Sequence, residues 1–247
     1  MNVKQYLDST YLKTASQAGL SEAENTIVVK NAIAEAIQEG FKLIMIRPEY
    51  VSLAKKMIVE ANSVLLVGTV IDFPEGKSNL ETKIKEANEA IENGADDLDF
   101  VCNYEAFKNG DLDLVKKEVL IGTQIGLAND KTVKWIIEIA ALTDKEIIQL
   151  SALIKHVVVS NFKEDGFDSV FVKSSTGFYN TDNNLPNGAT VPAIIMMLEN
   201  ASPLSIKAAG GVRSFEEAAE MIRLGVKRIG TSAAKAIANG EISPNQY

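Results

Sequence analysis

Short apolar, β-branched runs alternate with helical stretches along the whole chain, at a spacing of roughly 30 residues, close to the minimum βαβ unit. The strand-like runs are 41–46 (FKLIMI), 64–71 (VLLVGTVI), 97–101 (DLDFV), 133–139 (VKWIIEI), 170–173 (VFVK), 205–207 and 228–230, with 7–10 a shorter candidate. Helical patterns fill the intervals at 21–39, 49–61, 78–93, 111–127, 143–156, 190–201, 214–225 and 231–238, whereas 157–160 reads equally as helix end or extended chain. Two capping boxes, Ser78-x-x-Glu81 and Ser214-x-x-Glu217, mark helix starts. Apolar strands alternating with helices imply a parallel sheet covered on both sides. About eight such units in 247 residues point to α/β architecture as a closed (β/α)8 TIM barrel, one domain over 1–247. The alternative is an open doubly wound sheet, whose first strand–helix turn usually carries G-x-G-x-x-G; none is present. No low-complexity linker divides the chain, and 240–247 reads as a mobile tail.

Charge narrows the partners. The formal net charge of -8 repels nucleic acid and anionic membrane, so neither is expected. It also repels phosphorylated metabolites, so a phosphate site has to be local, built from backbone amides, helix N-termini and a few cations. One cysteine, Cys102, excludes an intrachain disulfide. No apolar leader opens the chain and no run is long enough to span a bilayer, so a cytoplasmic protein is expected.

In a barrel the loops after the strands build the site. Asp8, Arg47, Asp72, Asp97, Asp99, Glu138, Lys173 and Lys207 all fall near such ends. Strand alternation sorts them. If Lys173 points inward, so does Phe171, while Val170 and Val172 face the helices. Lys134, Ile136 and Glu138 share one face, Trp135 and Ile137 the other, and Asp97 shares a face with Asp99. One register then places Asp99, Glu138, Lys173 and Lys207 together in the mouth. A free lysine is neutral at pH 7 in only roughly 1 molecule in 2,000. Desolvation and a neighbouring ammonium lower its pKa and make it a nucleophile. A neutral amine adds to a carbonyl as a Schiff base, and a carboxylate such as Asp99 suits the accompanying proton transfer. With one histidine, one cysteine and no ligand-spaced cluster, no metal or other cofactor is expected.

The bland reading of Lys173 alone is a strand-end lysine that snorkels to solvent. Two lysines, each leading into a loop of small residues, favour the chemical one. Those loops are Ser174–Ser175–Thr176–Gly177 and Ala208–Ala209–Gly210–Gly211, and Gly230–Thr231–Ser232 follows late in the chain. Each can expose backbone amides, and the last two loops of this fold often bind phosphate. His156 reads as a surface or packing residue, Cys102 as a small buried thiol, and Trp135 as packing under helices.

The motifs also resemble a known family. LDSTYLK at 7–13, GTVIDFPEG at 68–76, KIKEANEAIENGADDLDFVCN at 83–103 and KWIIEIAALT at 134–143 are similar to stretches of the deoxyribose-phosphate aldolases, class I aldolases that work through a Schiff base. So are FVKSSTGF at 171–178, IKAAGGVRS at 206–214 and RIGTSAA at 228–234. The resemblance implies reversible cleavage of 2-deoxy-D-ribose 5-phosphate to D-glyceraldehyde 3-phosphate and acetaldehyde. It implies Lys173 as the Schiff-base lysine, Lys207 as the lysine that lowers its pKa, and Asp99 as proton donor and acceptor. Thr176, Gly177, Gly210, Gly211, Gly230 and Ser232 are then substrate-binding, most of them at the phosphate. The expected partners are the sugar phosphate and a second copy of the chain. Tyr247 falls where some members carry a terminal tyrosine that shuttles protons. Departures are Ser9, where many members have histidine; the acidic Asp72 and Glu75; Tyr104, where a small residue is common; and a long loop through Asn183 and Asn184. Two other readings compete: a different Schiff-base lyase or transaldolase, and a non-catalytic barrel that binds a phosphosugar.

Overall fold

The computed structural model describes residues 2–181 and 187–242. Asn183, Asn184, Tyr247 and most of the expected tail lie outside the described residues. Eight parallel strands close into a barrel in chain order: β1 (Leu7–Tyr11), β2 (Leu43–Ile46), β3 (Leu66–Ile71), β4 (Asp97–Val101), β5 (Thr132–Ile136), β6 (Val170–Lys173), β7 (Ser205–Ala209) and β8 (Arg228–Thr231). The short candidate at 7–10 is therefore a full strand, and its pairing with β8 closes the ring.

Helices surround the strands: α1 (Ala15–Ala18), α2 (Glu22–Glu39), α3 (Val51–Glu60), α4 (Leu80–Glu92) and α5 (Tyr104–Lys108) in the first half. Then follow α6 (Leu112–Ala128), α7 (Asp144–Asn161), α8 (Val191–Ala201), α9 (Phe215–Leu224) and α10 (Ala234–Asn239). The ambiguous segment 157–160 belongs to α7, because Val157 and Val158 are buried against the barrel. The capping box at Ser214 forms and opens α9. The one expected at Ser78 does not: Asn79 caps α4 by accepting from the Thr82 N–H. The Ser78 N–H is drawn instead to Asp72 Oδ2 at 2.9 Å.

Most of the apolar core lies between strands and helices, where outward-facing residues such as Val172, Ile206 and Trp135 meet the helices. Trp135 stacks on Phe100 with centroids 4.8 Å apart and donates to Thr123 Oγ1 on α6 at 3.0 Å. Gly122 permits that approach, since a Cβ there would lie 2.7 Å from the indole. Inside, the barrel is divided. Leu43, Met45 and Val70 fill the side of β2 and β3 with apolar bulk. The opposite side is occupied by charge.

Candidate active site

Seven charged side chains form a connected network inside the barrel. From β4, Asp97 and Asp99 point inward together; β5 contributes Lys134, β6 Lys173, β7 Lys207, β8 Arg228 and β1 Asp8. Lys134 Nζ donates to Asp97 Oδ2 at 2.6 Å and to Asp99 Oδ1 at 2.8 Å. Lys173 and Lys207 both donate to Asp99 Oδ2, each at 2.9 Å. Lys207 also lies 2.7 Å from Asp8 Oδ2. Arg228 completes the set, 2.7 Å from Asp8 Oδ1 and 3.1 Å from Asp97 Oδ2. The strand register brings this about: Lys173 pairs with Lys207, Lys207 with Arg228, and Asp99 with Lys134.

Three carboxylates thus face four cations, one positive charge in excess. An unpaired charge is costly in a buried site and is relieved by loss of a proton. Geometry identifies the group that yields. Lys134, Lys207 and Arg228 each contact two carboxylates, whereas Lys173 contacts only Asp99 and shares that oxygen with Lys207. Lys173 is also the lysine nearest the mouth, with 4% of its side chain exposed against 0% for Lys134 and Lys207. Burial is the main cause that lowers its pKa, to about 8; Asp99 opposes the shift and Lys207 adds to it. The expected role of Lys207 therefore comes second to desolvation. Burial works to raise the pKa of Asp99, but Lys134, Lys173 and Lys207 together hold it well below the usual carboxylate range.

Glu138 sits just beyond this network, not within it. β5 ends at Ile136, and Glu138 adopts a left-handed backbone with φ 54°. Its Oε2 accepts from the Thr176 N–H at 3.1 Å and from the Thr176 hydroxyl, and burial raises its pKa. Thr176 Oγ1 in turn accepts from the Phe178 N–H at 3.0 Å. The loop after Lys173 is thereby clamped to the end of β5. A cavity of about 310 Å³ opens beside it, lined by Glu75, Tyr104, Glu138, Thr176 and Tyr179 among others.

The loops expected to meet phosphate follow β6, β7 and β8, which are neighbours in the sheet. Gly177, Gly210 and Gly211 have φ of 83°, 82° and 81°, turns that a side chain would strain. Ser232 is exposed and Thr176 buried. Gly230 lies within β8, in line with the strand reading of 228–230, and a Cβ there would be 3.0 Å from Lys207 Cε. Its lack of a side chain makes room for the lysine stem.

Arg47 and Asp72 do not join the charged set. Arg47 donates from Nε to the Leu12 carbonyl at 2.8 Å and stacks over Phe73. Asp72 turns toward Lys83, 3.4 Å away, which is buried with Glu118. His156 is exposed on α7, and Cys102 is buried with its thiol pKa pushed up by burial. The expected register of Asp99, Glu138, Lys173 and Lys207 leaves out four members of the network: Asp8, Asp97, Lys134 and Arg228. Alternation does put Lys134 on the inward face. Arg228 had a signal too, for alternation puts it on the same inward face as Gly230.

A (β/α)8 barrel whose strand ends gather lysines around one carboxylate is built for chemistry on a carbonyl compound. The chain belongs to the DeoC/LacD aldolase family, whose model matches residues 5–243. It is 38% identical to the deoxyribose-phosphate aldolase of Thermococcus gammatolerans, over 97% of this chain and 96% of that one. It is 37% identical to that of Streptococcus pneumoniae over the full length of both. Among solved structures, a putative deoxyribose-phosphate aldolase from Coccidioides immitis superposes with a TM-score of 0.77 at 31% identity, covering 97% of this chain and 86% of that one. The Aeropyrum pernix deoxyribose-phosphate aldolase, described as a unique tetramer, gives 0.75 at 26% identity, covering 96% and 89%. The protein is therefore an aldolase, a carbon–carbon lyase.

Proposed function

We propose that the protein cleaves 2-deoxy-D-ribose 5-phosphate reversibly to D-glyceraldehyde 3-phosphate and acetaldehyde, with Lys173 forming the Schiff base. The observation that carries this reading is the placement of Lys173: the one cation of the internal network with a single, shared counter-ion, at the open end of the barrel. The neutral amine attacks C1 of the open-chain aldehyde, and loss of water leaves a protonated imine. Asp99, directly or through one water, takes the proton of the C3 hydroxyl. The C2–C3 bond breaks, its electron pair moves to the imine as an enamine, and glyceraldehyde 3-phosphate leaves. Protonation at C2 and hydrolysis then release acetaldehyde and restore Lys173. Lys207, hydrogen-bonded to the same oxygen of Asp99, supports the proton transfers. Thr176, Gly177, Gly210, Gly211, Gly230 and Ser232 frame the phosphate end. For Gly230 the role is indirect, through Lys207.

With an amine pKa of about 8, the rate rises with pH through that value. At pH 7 roughly one Lys173 in ten is neutral, about two hundredfold more than for a free lysine. Lys207→Leu removes the excess cation, so the rise in kcat/KM moves to higher pH; an unchanged profile contradicts its role. The reaction itself is tested by product analysis. Acetaldehyde and glyceraldehyde 3-phosphate in equal amounts are expected, and cleavage of other sugar phosphates without acetaldehyde would point to a different lyase.

This reading takes 1–247 as one catalytic domain in the cytoplasm. No described helix is long and apolar enough to cross a membrane. A homodimer is proposed, and sedimentation analysis distinguishes it from a monomer or a tetramer.

A further inference from the structure

We propose that Lys134 is a positioning residue that holds the barrel interior one positive charge in excess and thereby sets the pH at which Lys173 becomes nucleophilic. The proposal rests on the reading of Lys173 as the Schiff-base lysine. Lys134 itself is fully buried, below the mouth, with its Nζ between Asp97 and Asp99 and about 6.0 Å from the centroid of Phe171. It is linked to the reacting amine by hydrogen bonds through Asp99, and its charge also bears on that amine directly. Occupying Oδ1 of that carboxylate, it leaves Oδ2 to be divided between Lys173 and Lys207.

The charged groups around Lys173 can be counted strand by strand. Asp8 comes from β1, Asp97 and Asp99 from β4, Lys134 from β5, Lys207 from β7 and Arg228 from β8. Glu138, after β5, interacts electrostatically with Lys173, but it is bonded to Thr176, burial favours its neutral form, and it makes no ion pair among the described residues. Without Lys134, Asp97 keeps Arg228, Asp8 keeps Arg228 and Lys207, and Asp99 keeps Lys173 and Lys207. Three carboxylates then face three cations, and the excess charge that acts together with burial against the ammonium form of Lys173 is gone. The full charge of Asp99 also falls on the two remaining lysines. Both changes favour the ammonium form of Lys173.

The test is the pH dependence of reductive trapping of acetaldehyde by cyanoborohydride, read as mass added to Lys173. For Lys134→Met the acidic limb is expected to move up by about one pH unit or more, so trapping near pH 7 drops roughly tenfold and recovers at high pH. Lys134→Arg retains the charge and should leave the limb in place. The double variant Asp97→Asn/Lys134→Met removes one carboxylate and one cation, restores the excess, and should return the limb to its original position. A packing role alone would lower trapping at every pH and leave the limb where it is, which overturns the proposal. Failure of Lys134→Met to fold also overturns it, because a balanced interior is expected to be stable. Should the unaltered protein show no adduct on Lys173, the aldolase mechanism fails rather than the role of Lys134.

Discussion

Lys173→Ala is expected to abolish aldol turnover, lowering kcat by roughly four orders of magnitude or more, in a protein that stays folded. The reason for the loss is chemical: no other amine in the network stands at the open end with a single counter-ion. Lys134 and Lys207 each lie against two carboxylates and are shut off from solvent. The reason for retained folding is electrostatic. Removing Lys173 leaves Asp8, Asp97 and Asp99 opposite Lys134, Lys207 and Arg228, a balanced interior. Steady-state assays and thermal melting check both halves. Turnover above about one per cent of the original would show that another group carries the carbonyl.

Asp99→Asn has the second large effect, and its parts move in opposite directions. Three lysines share this carboxylate, so its neutralisation leaves four cations opposite two carboxylates in a closed barrel. Uncompensated buried charge of this kind costs about 3–5 kcal/mol. For a chain of this size that lowers Tm by roughly 6–20 °C. The chemistry suffers as well, since loss of a general acid/base typically costs about 10²–10⁴ in kcat. Yet Asp99 is the group that favours the charged form of Lys173, so its removal lets the amine lose its proton more readily. The acidic limb of the pH profile should therefore shift down while the plateau collapses. A limb that moved up, or a plateau within about tenfold of the original, would exclude Asp99 as both counter-ion and proton acceptor.

Much of this was legible in the chain before any coordinates. The barrel follows from local patterns, because each βα unit carries its own apolar run and helical stretch. The shared mouth of Lys173, Lys207 and Asp99 follows from period-two alternation on strands whose order matches the sequence. The limits were physical. Ser78 has the spacing of a capping box, but its N–H bonds to Asp72 within the loop and Asn79, one residue on, takes the cap. Alternation alone carries β5 through Glu138, whose left-handed turn it cannot foresee. Most importantly, the charge count could not be made from sequence. It needs Arg228 against Asp8, 220 positions away, and against Asp97, 131 away, contacts that only closure of the ring creates. The sequence drew attention to two lysines crowding each other. In the structure burial dominates, and the excess cation is shared among four side chains.

The most direct test of this electrostatic account is to treat the protein with acetaldehyde and borohydride near pH 8 and map the reduced adduct by peptide mass. The account predicts one ethyl group on Lys173 and none on Lys134 or Lys207. An adduct on either of those lysines, or none on any, would contradict it.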